Sequence, residues 1–485
     1  MNVLKVSDWI GVCIGLGLLL MGGQVAGGAE QDQEKTIEGD WVGKLSFGGE
    51  QLRVLFQLKQ SPSGRVEGVF KSPDQTPEPM PMNNVVLKGR NIYIQIKGVG
   101  EYRGKVSIKS GRMAGDWYGK EGNKWKMDLQ RSEKKWSYNR PQTPKKPFVY
   151  EVRQVKFGNK LGKNELAGVL TLPKGRGPFA AVVLVSNFGR QDRDGTRHDH
   201  KPLWVIADYL AKKGIATLRY DDRGVGASSG TYEFATTMDL ATDAAAAFEF
   251  LKKQPGIDAD KVGLLGHGEG ALIAPIVADK RKGVAFLLLL AAPAVRGDQM
   301  LLMQNEALAR AAGLDDEMVD LIRRLMSSVY KLVTQSPPDL ARAEKLGEQF
   351  EAKIKTLPAS EGAKLVKIGG QLEWQFGQIQ AQSPWFSFFL SYDSGAALEK
   401  VKVPVLALYG SKDLQVPAAI HAPALKRHLL AAGNDSVEIK TVKNLNHLFQ
   451  KSDTGLPSEY ALIEQTFSPS ALKQIADWVN MTTSK

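Results

Sequence analysis

Continuous apolar runs alternate with helical stretches from residue 148 onward, and this alternation constrains the fold more than any other feature of the sequence. The runs span residues 180–185, 215–220, 262–265, 284–290, 403–408 and 437–442. Short apolar runs bounded by turn residues are typical of strands that are buried on both faces of a parallel sheet. Helical stretches such as 203–213 and the alanine-rich 237–253 lie between them. We therefore predict an α/β fold for residues 148–485, with a doubly wound, mostly parallel sheet.

One long interval interrupts this alternation. Residues 296–396 contain no convincing buried strand and carry helical patterns instead, over 299–312, 317–332 and 339–355. The interval lies between two predicted sheet strands. We predict a helical insertion that is long enough to form a lid over the carboxyl edge of the sheet.

Residues before 132 have a different pattern. Eight short alternating runs within 35–131 are separated by Gly, Asn, Pro and Ser, which predicts a small all-β domain, a barrel or a sandwich, over 30–131. Trp41, Trp117 and Trp125 are expected to be core or rim aromatics of this domain rather than a ligand cage. The charged and proline-rich residues 132–147 are typical of a semi-extended linker.

The first 29 residues resemble a secretory signal. A short polar start is followed by an apolar run over 9–21 and by small residues up to Ala29, where cleavage is expected. The run is shorter than the ~20 residues that a membrane-spanning helix needs, although an uncleaved anchor is a second interpretation. The single cysteine, Cys13, lies within this run, so disulfides and cysteine-based zinc sites are excluded from an exported, processed protein.

The net charge is unevenly distributed. Of the formal charge of +12, residues 30–147 carry +8. A well-solvated basic surface is one interpretation, and a weak contact with anionic lipid or envelope polymer is the other. The sequence holds no nucleic-acid motif, so we expect no nucleic-acid partner.

The residues with the most chemical information follow the run at 262–265. The segment Gly266-His267-Gly268-Glu269-Gly270 joins a predicted strand to a predicted helix, as the G-x-S-x-G nucleophile elbow does, but its central residue is Gly268. Asp413 follows the strand at 403–408, and His447 follows the strand at 437–442. The chain order elbow, acid, histidine is that of a hydrolase triad, in which Asp413 would orient His447 and stabilise its protonated form.

Residues 148–485 resemble the α/β-hydrolase superfamily, and more narrowly the secreted bacterial dienelactone-hydrolase-like and prolyl-oligopeptidase-like esterases. The resemblance rests on the elbow and on the segments 191–195, 219–226, 413–417 and 446–450. It implies a carboxylic-ester hydrolase that acts on a small-molecule ester or lactone without a metal or cofactor. An oxyanion hole would come from the N–H of Glu269 and from an N–H near Asn187 or Phe188. Members of this group usually have serine where this chain has Gly268.

The glycine changes the expected function. Because it has no side chain, Gly268 cannot form an acyl-enzyme, and we expect a crippled or very slow esterase. A non-catalytic, ligand-binding pseudo-hydrolase is the alternative. Two rescue routes stay open: a water held in the vacated space and activated by His447, or a relocated nucleophile at Ser186 or at the Ser228-Ser229 pair. The sequence does not distinguish natural drift from deliberate inactivation.

Other candidate residues have a structural interpretation. His198 and His200 have no third ligand at a telling spacing, so a metal is not expected there. The charged residues at 192–194 and 221–223 are expected to form a structural network under the site. The late aromatics of the insertion are expected either to line a pocket or to form the core of the lid; they are Trp374, Trp385, Phe386, Phe388 and Phe389.

Overall fold

The computed structural model describes residues 36–484, except 48–49, 62, 74–75, 98, 120–121, 135, 355, 358–363, 365–370 and 381. The predicted signal segment, residues 1–29, lies outside the described residues. The chain divides into two compact units, Met1–Trp136 and Ser137–Lys485. No helix within the described ranges is long and apolar enough to span a membrane.

The first unit is an all-β half-barrel, as the alternating pattern predicts. Its antiparallel strands follow the order β4-β3-β2-β1-β10-β8-β7-β6-β5, with β9 paired to β8. Their bounds are β1 Gly39–Phe47, β2 Glu50–Gln60, β3 Val66–Ser72, β4 Thr76–Pro81, β5 Asn84–Lys88, β6 Asn91–Ile96, β7 Gly100–Ser107, β8 Arg112–Gly119, β9 Lys124–Lys126 and β10 Leu129–Arg131.

Large aromatic side chains fill the core of this unit. Trp41 and Trp117 are buried, and Trp117 stacks on Phe70 at 5.5 Å between ring centroids. Trp125 is partly buried against the same cluster. Strand β4 was not predicted, because its proline-rich sequence TPEPMP argues against a strand. Among the described residues β4 pairs with β3 alone, at the end of the strand order, where prolines are tolerated.

The second unit contains an eight-stranded sheet in the order β11-β12-β14-β13-β15-β16-β17-β18. The strands are β11 Glu151–Asn159, β12 Asn164–Leu172, β13 Phe179–Val185, β14 Ala216–Tyr220, β15 Ile257–His267, β16 Leu287–Leu290, β17 Val405–Gly410 and β18 Val437–Val442. All pairs from β14 to β18 are parallel, and the predicted doubly wound sheet is confirmed.

Two strands of this sheet, β11 and β12, were not predicted from the sequence. Strands β11 and β12 add an antiparallel pair to the β14 edge. Strand β11 is mostly exposed, so its sequence contains no apolar run, and Gly168 and Thr171 interrupt the run in β12. A search for continuous apolar runs therefore detects neither strand.

Helices cover both faces of the sheet and form the insertion. The helices that flank the sheet are α1 Pro202–Lys212, α2 Thr237–Lys252, α3 Glu269–Lys280, α10 Ala418–Ala431 and α11 Pro469–Thr483. The insertion between β16 and β17 contains α4 Gly297–Ala311, α5 Asp316–Thr334, α6 Leu340–Ile354, α7 Gln371–Gln380, α8 Pro384–Ser391 and α9 Gly395–Leu398. The predicted lid interval is thus helical over its described residues.

The predicted linker, residues 132–147, does not behave as a free linker over its second half. Arg140 is buried, and its guanidinium donates hydrogen bonds to the carbonyls of His198 and Ala461 at 2.8 and 2.7 Å. Gln142 accepts hydrogen bonds from the N–H groups of Thr466 and Phe467. These polar side chains satisfy backbone groups of distant loops, which composition alone does not reveal.

Candidate active site

The elbow forms because three backbones approach one another where β15 meets α3. A Cβ on Gly266 would overlap the carbonyl of Gly270, and a Cβ on Gly270 would lie 2.5 Å from the carbonyl oxygen of Val185. Gly268, between them, has φ +55° and ψ −108°, a conformation that residues with a Cβ adopt only under strain. The turn therefore has the sharp geometry that the sequence analysis predicts for residues 266–270.

The acid and the histidine come to the same edge of the sheet as the elbow. Strands β15, β17 and β18 are parallel, so the residues after their carboxyl ends meet there. His447 Nδ1 lies 3.0 Å from Asp413 Oδ2, and both side chains are buried. The other carboxylate oxygen of Asp413 accepts hydrogen bonds from the N–H groups of Gln415 and Val416, both at 2.8 Å. This network holds the carboxylate, and through it the imidazole, in a fixed orientation.

The space beside Gly268 is occupied by the side chain of Asn187. A Cβ built on Gly268 would collide with Asn187 Oδ1 and would lie 2.7 Å from Asn187 Cγ. The carboxamide thus lies where the side chain of an elbow serine would begin. The sequence analysis assigns Asn187 only a backbone role in an oxyanion hole; the structure adds a side-chain role that no spacing in the sequence indicates.

The hydrogen bonds of Asn187 assign its orientation. Its Oδ1 accepts from the N–H of Phe188 at 2.7 Å, so its Nδ2 is the atom that lies 3.0 Å from His447 Nε2. An amide nitrogen can only donate, so Nε2 accepts and the ring proton is on Nδ1, directed at Asp413. His447 therefore has the tautomer of a general base, but its basic nitrogen is already engaged.

The same side chain engages the Phe188 N–H, one of the candidate oxyanion donors predicted from the sequence. The N–H of Phe188 donates to Asn187 Oδ1 rather than to open space. Glu269 is the first residue of α3, and the N–H groups of a helix's first turn have no partner within the helix. Of the candidate donors, the Phe188 N–H is therefore engaged by the Asn187 side chain, whereas the described hydrogen bonds of this side chain include neither the N–H of Glu269 nor that of Asn187 itself.

The residues that flank Gly268 point away from it, as the sequence analysis expects. His267 Nε2 donates to the carbonyl of His447 at 2.8 Å, and burial together with the neighbouring His447 lowers the pKa of His267 to about 3. Glu269 Oε1 accepts from Thr237 Oγ1 at 2.7 Å and from Trp385 Nε1 at 2.6 Å. Burial raises the pKa of this carboxyl to about 7.

Helix α8 of the insertion lies directly over the elbow. Besides the bond from Trp385 to Glu269, the ring of Phe188 makes edge contacts with Trp385 and Phe389 at 5.8 and 5.4 Å. Trp385, Phe386 and Phe389 are buried, Phe388 is partly buried, and the side chain of Trp374 lies outside the described set. Trp385, Phe386 and Phe389 belong to the buried core, and Trp385 and Phe389 also contact the ring of Phe188 in the loop beside Gly268; a role in lining a pocket stays a prediction.

The alternative nucleophiles are engaged elsewhere. The hydroxyl of Ser186 donates to Asp222 at 3.1 Å, and the hydroxyl of Ser228 donates to the carbonyl of Asp221 at 2.8 Å. Ser229 Oγ accepts from the N–H of Glu165 at 2.8 Å. The described contacts of His447 include none of these three hydroxyls.

The charged segments form three buried or half-buried ion pairs. They are Arg193 with Asp221, Arg219 with Asp194, and Arg223 with Asp243. His200 is buried, with its two ring nitrogens 2.8 Å from Thr466 Oγ1 and 3.0 Å from the carbonyl of Tyr460. His198 contributes its carbonyl to Arg140.

The model of the family described as serine aminopeptidase, S33, matches residues 203–452, just over half of the chain. The match includes the elbow and both Asp413 and His447. The chain belongs to this family of α/β hydrolases. The resemblance to α/β-hydrolase esterases on which the sequence analysis relies is confirmed at that level.

Individual relatives of this S33 hydrolase include Esterase EstD of Thermotoga maritima, which is 27% identical over 317 residues. That alignment covers 65% of the chain and 66%, just under two thirds, of the relative. Among solved structures, an esterase of Pyrococcus furiosus is 15% identical with a TM-score of 0.43, covering 73% of this chain and 100% of that one. Dienelactone hydrolase from Anabaena variabilis is 15% identical with a TM-score of 0.37, covering 69% and 98%.

Glu269 provides a prediction about the stability of this S33 hydrolase. Its folded-state pKa of about 7 is above the ordinary glutamate pKa of 4.5, so the folded protein holds this proton more tightly than the unfolded chain does. Ionisation of Glu269 therefore lowers the free energy of unfolding. This loss is absent below the unfolded pKa and complete above the folded pKa, so it develops as the pH rises from about 4.5 to about 7. The Glu269→Gln variant keeps the accepting oxygen but cannot ionise. We expect it to gain stability relative to the parent over this window, by about 3 kcal/mol at pH 8.

Urea unfolding of both proteins at pH 5 and pH 8 checks this expectation. The difference between the two proteins isolates Glu269 from the buried histidines, which titrate equally in both. A difference that is the same at the two pH values would contradict the raised pKa.

Proposed function

We propose that this protein is an exported α/β hydrolase of the esterase type that binds a small ester or lactone and turns it over very slowly. The observation that carries the proposal is the side chain of Asn187, which fills the space beside Gly268 and engages both His447 Nε2 and the Phe188 N–H. The small-molecule ester is inferred from the esterase group to which the chain is similar.

Ordinary serine-esterase chemistry needs a nucleophile, a base and an oxyanion hole, and Asn187 together with Gly268 affects all three. The nucleophile is missing, the basic nitrogen of His447 is engaged, and one oxyanion donor is satisfied internally. Loss of a catalytic serine alone costs about 10⁶ in kcat in a serine protease, and the residual rate there depends on the oxyanion hole. Here that residual source is weakened as well.

Water activated by His447 is the remaining route to hydrolysis. For it to operate, the carboxamide of Asn187 must rotate away and give up its hydrogen bonds to His447 and Phe188. General-base assistance contributes about 10²–10⁴-fold when the base is free. Because His447 Nε2 is engaged by Asn187 in the ground state, we expect a rate enhancement near the lower end of this range.

A non-catalytic ligand-binding protein is the second candidate function. In a working site, a bound carbonyl would accept a hydrogen bond from the Phe188 N–H, and the attacking group would donate one to His447 Nε2. The carboxamide of Asn187 makes both of these hydrogen bonds itself. A ligand that presents one acceptor and one donor can exchange with the carboxamide without any reaction. The intact Asp413–His447 pair supports this candidate.

Hydrolysis of p-nitrophenyl acetate and butyrate tests the first candidate against active catalysis. We expect the full chain to exceed its His447→Ala variant by no more than about 100-fold in kcat/KM, without a burst and without labelling by a serine-directed phosphonate. Covalent phosphonate labelling together with burst kinetics would show that a nucleophile is present and that the proposal is wrong. Saturable binding of an ester without product would favour the second candidate.

Export is proposed from residues 1–29, with removal of this segment after Ala29. The apolar run at 9–21 and the small residues that follow it support export. N-terminal sequencing of the protein from its native host should begin at Glu30. An N-terminus at Met1 in a membrane fraction would instead favour the uncleaved anchor.

A weak electrostatic contact with anionic envelope material is proposed for the basic residues 30–147. The charge of +8 on residues 30–147 supports it. Binding of the full chain to anionic vesicles should fall steeply between low and physiological salt. Absence of binding at low salt would dismiss it and leave the basic surface as a solvated one.

A further inference from the structure

A second cavity lies away from the elbow, on the side of the sheet formed by β12 and β14. It has a volume of about 620 Å³, within the usual size of small-ligand sites. Its lining residues all belong to the unit Ser137–Lys485. They include the aromatic residues Phe148, Tyr150 and Trp204 and the charged residues Lys146, Arg193, Asp194 and Arg219.

The aromatic residues form one corner of the cavity. Phe148 stacks on Tyr150 at 5.3 Å between ring centroids and makes an edge contact with Trp204 at 6.2 Å. The hydroxyl of Tyr150 donates to Asp208 at 2.8 Å, which fixes its ring. A planar ring fits such a corner because aromatic pairs prefer stacked or edge arrangements.

The charged lining contains a cation whose hydrogen bonds are incomplete. The side chain of Arg219 is 4% exposed, and its Nε donates to Asp194 at 3.1 Å. Its buried Nη1 has no hydrogen-bond partner among the described residues. A buried guanidinium with an unused donor is uncommon. The guanidinium lies over the Trp204 ring at 5.4 Å, and an anion in the cavity would supply an acceptor for Nη1 once the Arg219 side chain moves toward it.

The balance of charge also favours an anion. Asp194, the carboxylate in the lining, is shared between Arg219 and Lys201, and Arg193 is paired with Asp221. Lys146 is exposed and forms no ion pair among the described residues. Arg193 and Arg219 are each balanced by a carboxylate, so Lys146 is the lining charge that no described carboxylate balances, and it favours an anion.

We propose that this cavity binds a small aromatic carboxylate, with its ring against Phe148, Tyr150 and Trp204 and its carboxylate at Lys146 and Arg219. This site is separate from the elbow and does not depend on the proposed function. Neither a ring without a charge nor a carboxylate without a ring satisfies both parts of the lining.

Isothermal titration of the full chain with benzoate tests the proposal, with benzyl alcohol and acetate as half-ligand controls. We expect saturable binding of benzoate with a Kd of about 1 mM or tighter, which is reasonable for a ligand of this size, and at least tenfold weaker binding of each control. No saturation by benzoate at about 10 mM, roughly ten times the expected Kd, would overturn the proposal.

Two variants locate the binding. Lys146→Gln removes an exposed cation and leaves the folded core untouched, and we expect it to weaken benzoate binding at least threefold, whereas the matched exposed control Lys174→Gln leaves it unchanged. Trp204→Leu should weaken binding at least tenfold. Unchanged affinity in Lys146→Gln and Trp204→Leu, or a loss of affinity in His447→Ala, would show that benzoate binds elsewhere and that the proposal is wrong.

Discussion

The double variant Gly268→Ser/Asn187→Ala is expected to raise kcat/KM for p-nitrophenyl butyrate by at least about 10³-fold over the parent chain. The serine supplies the missing nucleophile beside an imidazole that already has the tautomer of a general base. Removal of the carboxamide frees His447 Nε2 and the Phe188 N–H at the same time. The gain is smaller than the ~10⁶ attributed to a complete protease triad because the lid and substrate are not matched to this ester.

The two single variants separate the contributions. In Gly268→Ser, the new Cβ collides with Asn187 Oδ1, so the carboxamide must rotate before the hydroxyl can reach His447. The serine must also adopt φ near +55°, which costs about 1–3 kcal/mol. We expect this variant to be at least tenfold slower than the double variant, and Asn187→Ala alone to remain close to the parent because it has no nucleophile.

Steady-state kinetics and phosphonate labelling of all four proteins check these expectations. His447→Ala in the double-variant background is the control and should abolish both the gain and the labelling. A correctly folded double variant that is no faster than the parent would show that Asn187 and Gly268 are not what limits the site.

Gly266→Ala is expected to have the largest effect on stability, with a loss of at least about 3 kcal/mol or failure to fold. The added Cβ would overlap the carbonyl of Gly270 and lie 2.5 Å from the backbone nitrogen of Ala271. Both are backbone atoms of the first turn of α3, so no side-chain rotation relieves the contact. Relief requires β15 and α3 to separate at the elbow, where they pack most closely.

Gly158→Ala is the matched control for this prediction. Gly158 is also a strand residue, in β11, but a Cβ added there meets no atom within 4 Å. Urea unfolding should show a change within about 0.5 kcal/mol of the parent, as for other exposed substitutions. Equal stability of the two alanine variants would mean that the close approach of β15 and α3 is not required.

The sequence predicts much of the fold because buried strands and amphipathic helices leave distinct patterns. The runs at 180–185, 262–265 and 403–408 correspond to strands of the confirmed sheet, and the helical insertion falls where those runs stop. Edge strands such as β11 escape because an exposed strand needs no apolar run. Strand β4 escapes because its prolines are acceptable at the end of a sheet but atypical of strands in general.

The sequence by itself determined the order of the chemistry: an elbow with glycine at its centre, then Asp413, then His447, each after a strand of one parallel sheet. Parallel strands bring such residues to one edge whatever the details of packing. Only the tertiary structure decided what fills the place that Gly268 leaves empty. Asn187 is 81 residues away in the chain, and its carboxamide reaches the space beside Gly268 because β13 and β15 are neighbours in the sheet. This contact depends on how the loop after β13 packs against the elbow and the loop of His447. No periodicity or spacing in the sequence encodes such packing.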